Sequence, residues 1–205
     1  MQKELIEKTL AALEKHSFQT ARFSTVEQAV EWLDQQIPQG ASVGVGGSVS
    51  VRSSGLLERL SARGIEILDH WQEGLSPEEK KELFFRTHRA DAYFCSANAI
   101  TAEGHILNVD GMGNRLAAHC YGPKRLYLLC GINKLVPDMD AALERIEKIA
   151  PINCKRKGFD TPCTETGECC DCNTPDRSCR AYLVLRRPTR AVPVTVVFVE
   201  QEMGM

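Results

Sequence analysis

The sequence lacks both a long hydrophobic run and an excess of charge of one sign. No stretch of its 205 residues approaches the ~20 apolar residues of a membrane-spanning helix, and residues 1–16 alternate charged with apolar side chains, unlike a signal peptide. Its 25 basic and 27 acidic residues give a net charge of −2, which argues against a nucleic acid or a membrane surface as partner. We therefore expect a soluble, cytoplasmic protein.

Cysteine, in contrast, is abundant and clustered. The chain has 9 cysteines, and because the cytoplasm is reducing, clustered thiols there indicate metal binding or redox chemistry rather than a disulfide framework. The predicted metal ligands follow a C-x5-C-x2-C-x6-C spacing and are Cys163, Cys169, Cys172 and Cys179. Four thiolates suit a 4Fe–4S cluster or a Zn²⁺ ion, and reduced thiols or a redox disulfide are the alternative. Cys154 and Cys170 are additional thiols within reach, so the fourth ligand stays open between Cys163, Cys154 and Cys170.

Strand-like and helix-like segments alternate along the chain. The predicted strands are 41–45, 64–68, 91–95, 125–130 and 194–199, with a hairpin over 99–109. The predicted helices include one capped by Ser24 with Glu27, one that opens at Ser76-Pro77, and one over 138–150. This alternation predicts an α/β fold, with a mostly parallel sheet and helices on both faces.

The domain organisation follows from composition. We treat residues 1–205 as a single domain, because no repeat or low-complexity segment interrupts the alternation. Residues 154–190 are poor in aliphatic side chains, and we interpret them as a Cys-rich metal-binding insertion before the last strand. Ligands of such sheets bind beyond the carboxyl ends of the strands.

Polar residues accumulate where the predicted strands end. The predicted anion- or substrate-binding residues are Gly44, Gly46, Gly47, Ser48, Asn98, Asn108, Asn114, Arg115, Asn133 and Lys134. The predicted catalytic carboxylates are Glu103 and Asp110. The glycine turn does not have the G-x-G-x-x-G spacing of dinucleotide-binding loops, and for each of these residues the alternative is an ordinary role in a turn.

Four uncommon motifs follow one another in the chain: VGVGGSVS, NAITAEGHILNVDGMGNR, GINK and TPCTETGECCDCNTPDRSC. Together they resemble the LUD-domain family, proteins similar to lactate utilisation protein C, from about residue 5 to 202. The Cys-rich tail is typical of only a subset of that family.

This resemblance implies a fold similar to the ribose-phosphate isomerase and CoA-transferase group. For some members it implies a role in oxidising L-lactate to pyruvate beside iron–sulfur partner proteins. Proteins of this fold group place an acidic residue and a glycine-rich anion loop at the carboxyl edge of the sheet. The matching positions here are Glu103 or Asp110, and residues 44–48.

Three functions are compatible with these features. In the first hypothesis the chain is a redox component, whose cluster exchanges electrons with an iron–sulfur partner during oxidation of L-lactate or a similar small organic acid. Alternatively, it is an isomerase- or CoA-transferase-like enzyme that acts on a phosphorylated or CoA-linked small molecule through Glu103 or Asp110. In the third hypothesis it is an assembly subunit with structural zinc. We favour the first, because clustered thiols are stronger evidence than scattered turn residues; whether the chain is catalytic alone, and whether it forms a homo-oligomer, stays open.

Overall fold

The computed structural model describes residues 2–205. Its strands are β1 (Gln19–Phe23), β2 (Ser42–Val45), β3 (Glu66–Leu68), β4 (Ala92–Cys95), β5 (Ala99–Thr101), β6 (Ile106–Asp110), β7 (Leu126–Gly131), β8 (Leu135–Val136), β9 (Ala181–Leu185) and β10 (Val194–Val199). Its helices are α1 (Gln2–Lys15), α2 (Val26–Gln35), α3 (Val49–Arg52), α4 (Leu56–Ala62), α5 (Pro77–Thr87), α6 (Asn114–Cys120), α7 (Met139–Lys157) and α8 (Pro162–Thr166). A single turn of 3-10 helix, Ile132–Lys134, joins β7 to β8.

A six-stranded parallel sheet forms the centre of the molecule, in the order β1-β10-β7-β4-β2-β3. Every residue of β4, β7 and β10 is buried, because apolar clusters cover both faces of these strands. On one face Phe94 and Tyr127 stack with ring centroids 5.2 Å apart. Since parallel strands all point the same way, β2, β4, β7 and β10 deliver the segments that follow them to one edge. The predicted α/β fold with a mostly parallel sheet is confirmed.

A smaller mixed sheet lies beside the first, in the order β8-β5-β6-β9. The predicted hairpin is present, with β5 and β6 antiparallel and Ala99 opposite Leu107. The second neighbour of β6 is β9, and Asp110 is paired with Ala181 at the end of that ladder. Helix α7 packs on β5 and β8 through Ala142 and Ile146.

Two helix ends differ from the sequence-based expectation. The cap of α2 is Thr25, whose hydroxyl accepts from the Gln28 N–H, while the Gln28 side chain accepts from the Ser24 N–H at 3.2 Å. The predicted cap at Ser24 is therefore wrong by one residue, because Gln28 closes the capping interaction in place of Glu27. Helix α7 continues past Pro151 to Lys157, two turns beyond its predicted end. Ser76 and Glu79 do form the predicted capping box of α5.

The segment 154–190 includes more regular structure than an irregular excursion would. It begins with the last residues of α7, contains α8, and ends with β9 in the smaller sheet. Between Gly167 and Arg180 the described backbone has no helix or strand. No helix within residues 2–205 is both long and apolar enough to span a membrane.

Candidate functional site

A cleft opens at the carboxyl edge of the parallel sheet. It has a volume of about 730 Å³, including the part that is open to solvent. Its walls are the turn after β2, the segment after β4, the end of β6, the turn after β7, one side of α7, and two residues of the Cys-rich segment. Of the predicted site residues, the structure brings Gly47, Ser48, Asn98, Asp110, Arg115 and Lys134 together around this cleft.

Asp110 and Arg115 form an ion pair of defined geometry in the cleft wall. The Asp110 carboxylate is buried and accepts from the Gly111 N–H at 2.9 Å and from the Arg115 N–H at 3.0 Å. The Arg115 guanidinium lies 3.4 Å from the same carboxylate and donates to the Val109 carbonyl. Both oxygens of Asp110 therefore have a defined orientation, which is the requirement for a positioned proton acceptor.

Arg115 also contacts a thiol that lines the cleft. The Cys95 side chain, at the end of β4, lies beside the guanidinium, whose charge favours the thiolate, yet burial raises the pKa of this thiol above its usual value. Desolvation outweighs the neighbouring positive charge, so Cys95 stays a neutral thiol at physiological pH. The structure thus offers no activated nucleophile at this position.

The glycine turn contributes to the cleft through its second half only. A side chain at Gly44 would collide with Tyr93 and Thr87, and one at Gly46 would lie 3.1 Å from the Cys95 sulfur, so these two glycines permit close packing rather than ligand contact. Gly47 and Ser48 do line the cleft. The Ser48 hydroxyl accepts from the Val51 N–H and caps α3.

The three predicted asparagines at the strand ends act mainly on the main chain. Asn98 accepts from the Val109 N–H at 2.9 Å, and Asn108 accepts from the Asn98 N–H at 3.2 Å, so the two tie β5 to β6. Asn133 exchanges two hydrogen bonds with Met203. Only Asn98 also lines the cleft, and the other two are parts of its frame.

Lys134 supplies positive charge to the cleft, and Arg145 lies close to it. Lys134 is 4% exposed, and burial followed by the nearby Arg145 charge lowers its pKa from 10.5 to about 8. Its ammonium donates to the Met205 carbonyl. Arg145 donates to the carbonyls of Asn98, Asn133 and Met205 at 2.7–2.8 Å.

Lys157 is the charged cleft residue that the sequence analysis did not predict. It lies at the end of α7, on the same side as Ala150 and Asn153, which line the cleft too. Although the residue as a whole is exposed, desolvation and then the Arg115 charge lower the pKa of its ammonium. In the described chain this ammonium has no hydrogen bond or ion pair, and its contact is the Phe159 ring at 5.5 Å. A helical spacing of three and four residues would have indicated this face had α7 been extended past Pro151.

The cleft continues outward past Arg115 and Lys157. This extension is lined by Trp71, Met112, Arg156 and Phe159, and Asn114 lies there too. The Arg52 guanidinium, which is paired with both oxygens of Asp69 at 2.7 Å, covers the Trp71 ring at 4.3 Å. The ring edge packs on Gly47. The extension is thus an aromatic and cationic surface that is continuous with the inner cleft.

Glu103 lies apart from these residues. It follows β5 in the turn of the hairpin, where Gly104 packs on the backbone of Ala12 and Leu13 in α1. Its side chain is 65% exposed, and its carboxylate lies 3.7 Å from His105. Of the two predicted catalytic carboxylates, the structure therefore places Asp110 in the cleft and Glu103 outside it.

A second, smaller cavity lies within the Cys-rich segment. Six thiols line it, those of Cys154, Cys163, Cys169, Cys170, Cys172 and Cys179. All four predicted ligands are among them. Cys154 and Cys163 are buried, Cys172 and Cys179 are partly buried, and Cys169 and Cys170 are exposed.

Two thiols of this cavity, Cys163 and Cys179, are protonated in the ligand-free chain. Burial raises the pKa of Cys163 and of Cys179, and for Cys179 the nearby Arg177 charge only partly offsets it. Arg177 also holds the loop together, because it donates to the carbonyls of Cys172 and Cys179 and pairs with Asp171 at 2.6 Å. A thiophilic metal would displace these protons. Within residues 2–205 no three potential ligands already surround one point as a finished metal shell, so the fit rests on six soft donors around one cavity.

The two cavities share a wall. Ala150, Ser178 and Cys179 line both of them. Gly111, next to Asp110, lies so close to the Ser178 backbone that a side chain there would come within 3.0 Å of the Ser178 carbonyl oxygen. The Arg180 N–H donates to the Asp110 carbonyl at 3.1 Å. The loop that lines the cysteine cavity is therefore in direct contact with Asp110 and its neighbour Gly111 in the cleft wall.

Comparisons with known proteins agree with this architecture. A family model described as LUD domain matches residues 6–199. No curated protein matches the chain. Among solved structures the chain is similar to a DUF162 family protein from Deinococcus radiodurans, with 15% identity, a TM-score of 0.57, and coverage of 96% of this chain and 98% of that chain. At this level of identity the likeness shows the fold alone.

Proposed function

The chain belongs to the LUD-domain family, and from that premise we propose that it is a redox component that acts in the oxidation of L-lactate or a similar small organic acid. The acid binds in the cleft, and the Cys-rich segment holds a metal centre that exchanges electrons with an iron–sulfur partner protein. The observation that supports this proposal most directly is the shared wall of Ala150, Ser178 and Cys179 between the cleft and the cysteine cavity.

The charges of the cleft suit an organic anion. Lys157 faces it without a carboxylate partner in the described chain, whereas Lys134 donates to a main-chain oxygen of Met205 and Arg115 is paired with Asp110. An ammonium whose pKa is lowered by desolvation, as that of Lys157 is, is stabilised by an opposite charge beside it. The carboxylate of a 2-hydroxy acid would supply that charge, and this chain of net charge −2 would still attract it locally.

Asp110 is the residue we assign to proton transfer. Oxidation of a 2-hydroxy acid to a 2-oxo acid removes two electrons and two protons. A positioned carboxylate is a suitable acceptor for the hydroxyl proton, the proton from C2 would be released to water, and the iron–sulfur partner protein would take the two electrons one at a time. A bound 4Fe–4S cluster would carry single electrons between the cleft side and the partner. Cys163, Cys169, Cys172 and Cys179 are the ligands that the spacing predicts for it.

Metal and acid-labile sulfide content, measured with a visible spectrum on protein purified without oxygen, tests this function. We expect about four irons and four sulfides per chain and an absorption near 400 nm that bleaches on reduction. Cys172→Ser should lose both, whereas Cys130→Ser, a buried thiol outside the cavity, should keep them. A single zinc in a colourless protein would contradict the redox function and favour the structural-zinc hypothesis.

The second candidate function is isomerase- or acyl-transfer chemistry on a phosphorylated or CoA-linked molecule. The aromatic and cationic extension beside Trp71 and Arg156 favours it, because that surface has room for a ligand larger than lactate. In this case Asp110→Asn should abolish turnover while metal content is unchanged, and Glu103→Gln, outside the cleft, should leave turnover intact. Activity that survives Asp110→Asn would exclude this candidate.

A further inference from the structure

Cys154 is the buried thiol that the four-cysteine spacing leaves out. It belongs to the last turns of α7, and 2% of its surface is exposed. Its sulfur lies 3.2 Å from the Ser178 hydroxyl, and it lines the same cavity as the Cys163 thiol. It therefore lies at the inner end of the cysteine cavity, between the helix and the loop.

Cys154 differs from the loop thiols in what holds it. Helix α7 is anchored on the smaller sheet by Ala142 and Ile146, so the position of Cys154 is set by regular structure before any metal binds. Cys169 and Cys170 are exposed and follow α8 in backbone without helix or strand. A preorganised ligand loses less conformational entropy when a metal binds than a mobile one does.

We propose that Cys154 is itself a ligand of the metal centre, where it completes a four-thiolate shell with three of the loop cysteines. The inference rests on the proposed function insofar as it requires a thiophilic metal in this cavity. The metal is either an iron–sulfur cluster or Zn²⁺, since both take four thiolates.

With Cys154 as a ligand, the metal centre lies closer to the cleft than a centre held by loop cysteines alone. Ala150, Asn153 and Lys157 of the same helix line the cleft, so a metal bound to Cys154 is connected to them through one rigid element. Ser178, which contacts Cys154, lines both cavities. Loading of the metal would thereby join α7 to the loop wall of the cleft.

The test compares serine variants of the whole chain, purified without oxygen. Cys154→Ser should retain less than half of the wild-type metal per chain, whether iron with sulfide or zinc. Two variants serve as controls and should retain all of it: Cys170→Ser, an exposed thiol of the same cavity, and Cys130→Ser, a buried thiol elsewhere. Circular dichroism of the metal-free proteins checks that each variant folds. If Cys154→Ser does not fold, Cys154→Ala takes its place in the comparison.

Cobalt provides a second measurement that does not depend on cluster assembly. Co²⁺ added to metal-free protein gives thiolate-to-metal absorption that grows with the number of thiolates, so one thiolate fewer of four should remove about a quarter of it. Wild-type metal content and cobalt absorption in Cys154→Ser would overturn the inference and leave the proposed function standing. A wild-type chain without any metal would overturn both.

Discussion

The cleft and the Cys-rich segment are held in place in different ways, although they share a wall. Polar groups of the cleft lie at the ends of strands of the two sheets or on anchored helices, and most of them already have hydrogen-bond partners, as Asp110 and Arg115 do. The loop from Gly167 to Arg180 has no regular structure and depends largely on Arg177. Folding therefore preorganises the cleft, whereas the cysteine site is completed only when a metal replaces its protons.

Removal of the metal should break this comparison most visibly. Once the metal is chelated, we expect the loop to open with a free energy near zero, so trypsin should cut after Arg177 and Arg180 about a hundredfold faster. Cleavage within the parallel sheet should stay as slow as before. Mass spectrometry of timed digests measures both rates, and equal loop cleavage with and without metal would show that the loop needs none.

Arg145→Ala should have the next largest effect, because it removes a support of the cleft. Three main-chain carbonyls would lose a charged donor, and we expect a loss of about 3 kcal/mol in the free energy of unfolding. Urea titration measures it. Arg187→Ala, an exposed arginine, is the control and should change stability by less than about 0.5 kcal/mol; similar losses in both variants would contradict the supporting role of Arg145.

Acid should destabilise the folded body through His119. This histidine is fully buried, and desolvation, then Arg115, lower its pKa from 6.5 to about 3. Below pH 6.5 His119 is protonated in the unfolded chain but stays neutral in the folded chain. The contribution of neutral His119 to stability is therefore complete above pH 6.5 and is lost as the pH falls toward 3. We expect a loss of about 2 kcal/mol between pH 7 and pH 5. His119→Gln should remove that part of the slope in urea titrations, and an unchanged slope would be the contrary result.

Lys157→Gln should have the smallest effect and should sharpen the comparison, because it affects binding and not folding. Loss of the unpaired ammonium should weaken binding of L-lactate about tenfold, which corresponds to about 1.4 kcal/mol. Lys155→Gln, on the exposed side of the same helix, is the matched control. Calorimetric titration measures the affinities, and equal affinities in the two variants would remove Lys157 from the site.

The sequence predicts the central strands of the fold better than the strands at the edges of the two sheets. Strands β7 and β10 are recognisable because strands buried on both faces are continuous apolar runs. Strand β1, QTARF, escapes prediction because it is a largely polar edge strand that acquires its structure by pairing with β10. Strand β9 has a clear apolar run, but it was hidden inside the segment assigned to the insertion.

The site residues are predictable where they follow the strands of a parallel sheet. Because ligands bind at the carboxyl ends of parallel strands, Asp110, Arg115 and Lys134 could be placed at one edge. Glu103 could not be separated from Asp110, since the sequence does not tell which end of the hairpin faces the cleft. Lys157 and the helical position of Cys154 were missed for one reason: Pro151 suggested the end of a helix that in fact continues. The LUD-domain resemblance is confirmed over residues 6–199, while the metal and the substrate stay predictions.

The central claim is that the cleft and the cysteine site act together, and the most direct measurement is the spectrum of the metal centre with and without an anion in the cleft. Protein purified without oxygen and reduced is titrated with L-lactate while its electron paramagnetic resonance and visible spectra are recorded. We predict a saturable change that requires Lys157 and is absent in Lys157→Gln. A reducible iron–sulfur signal that saturating lactate leaves unchanged, or a protein that contains only zinc, would contradict the account.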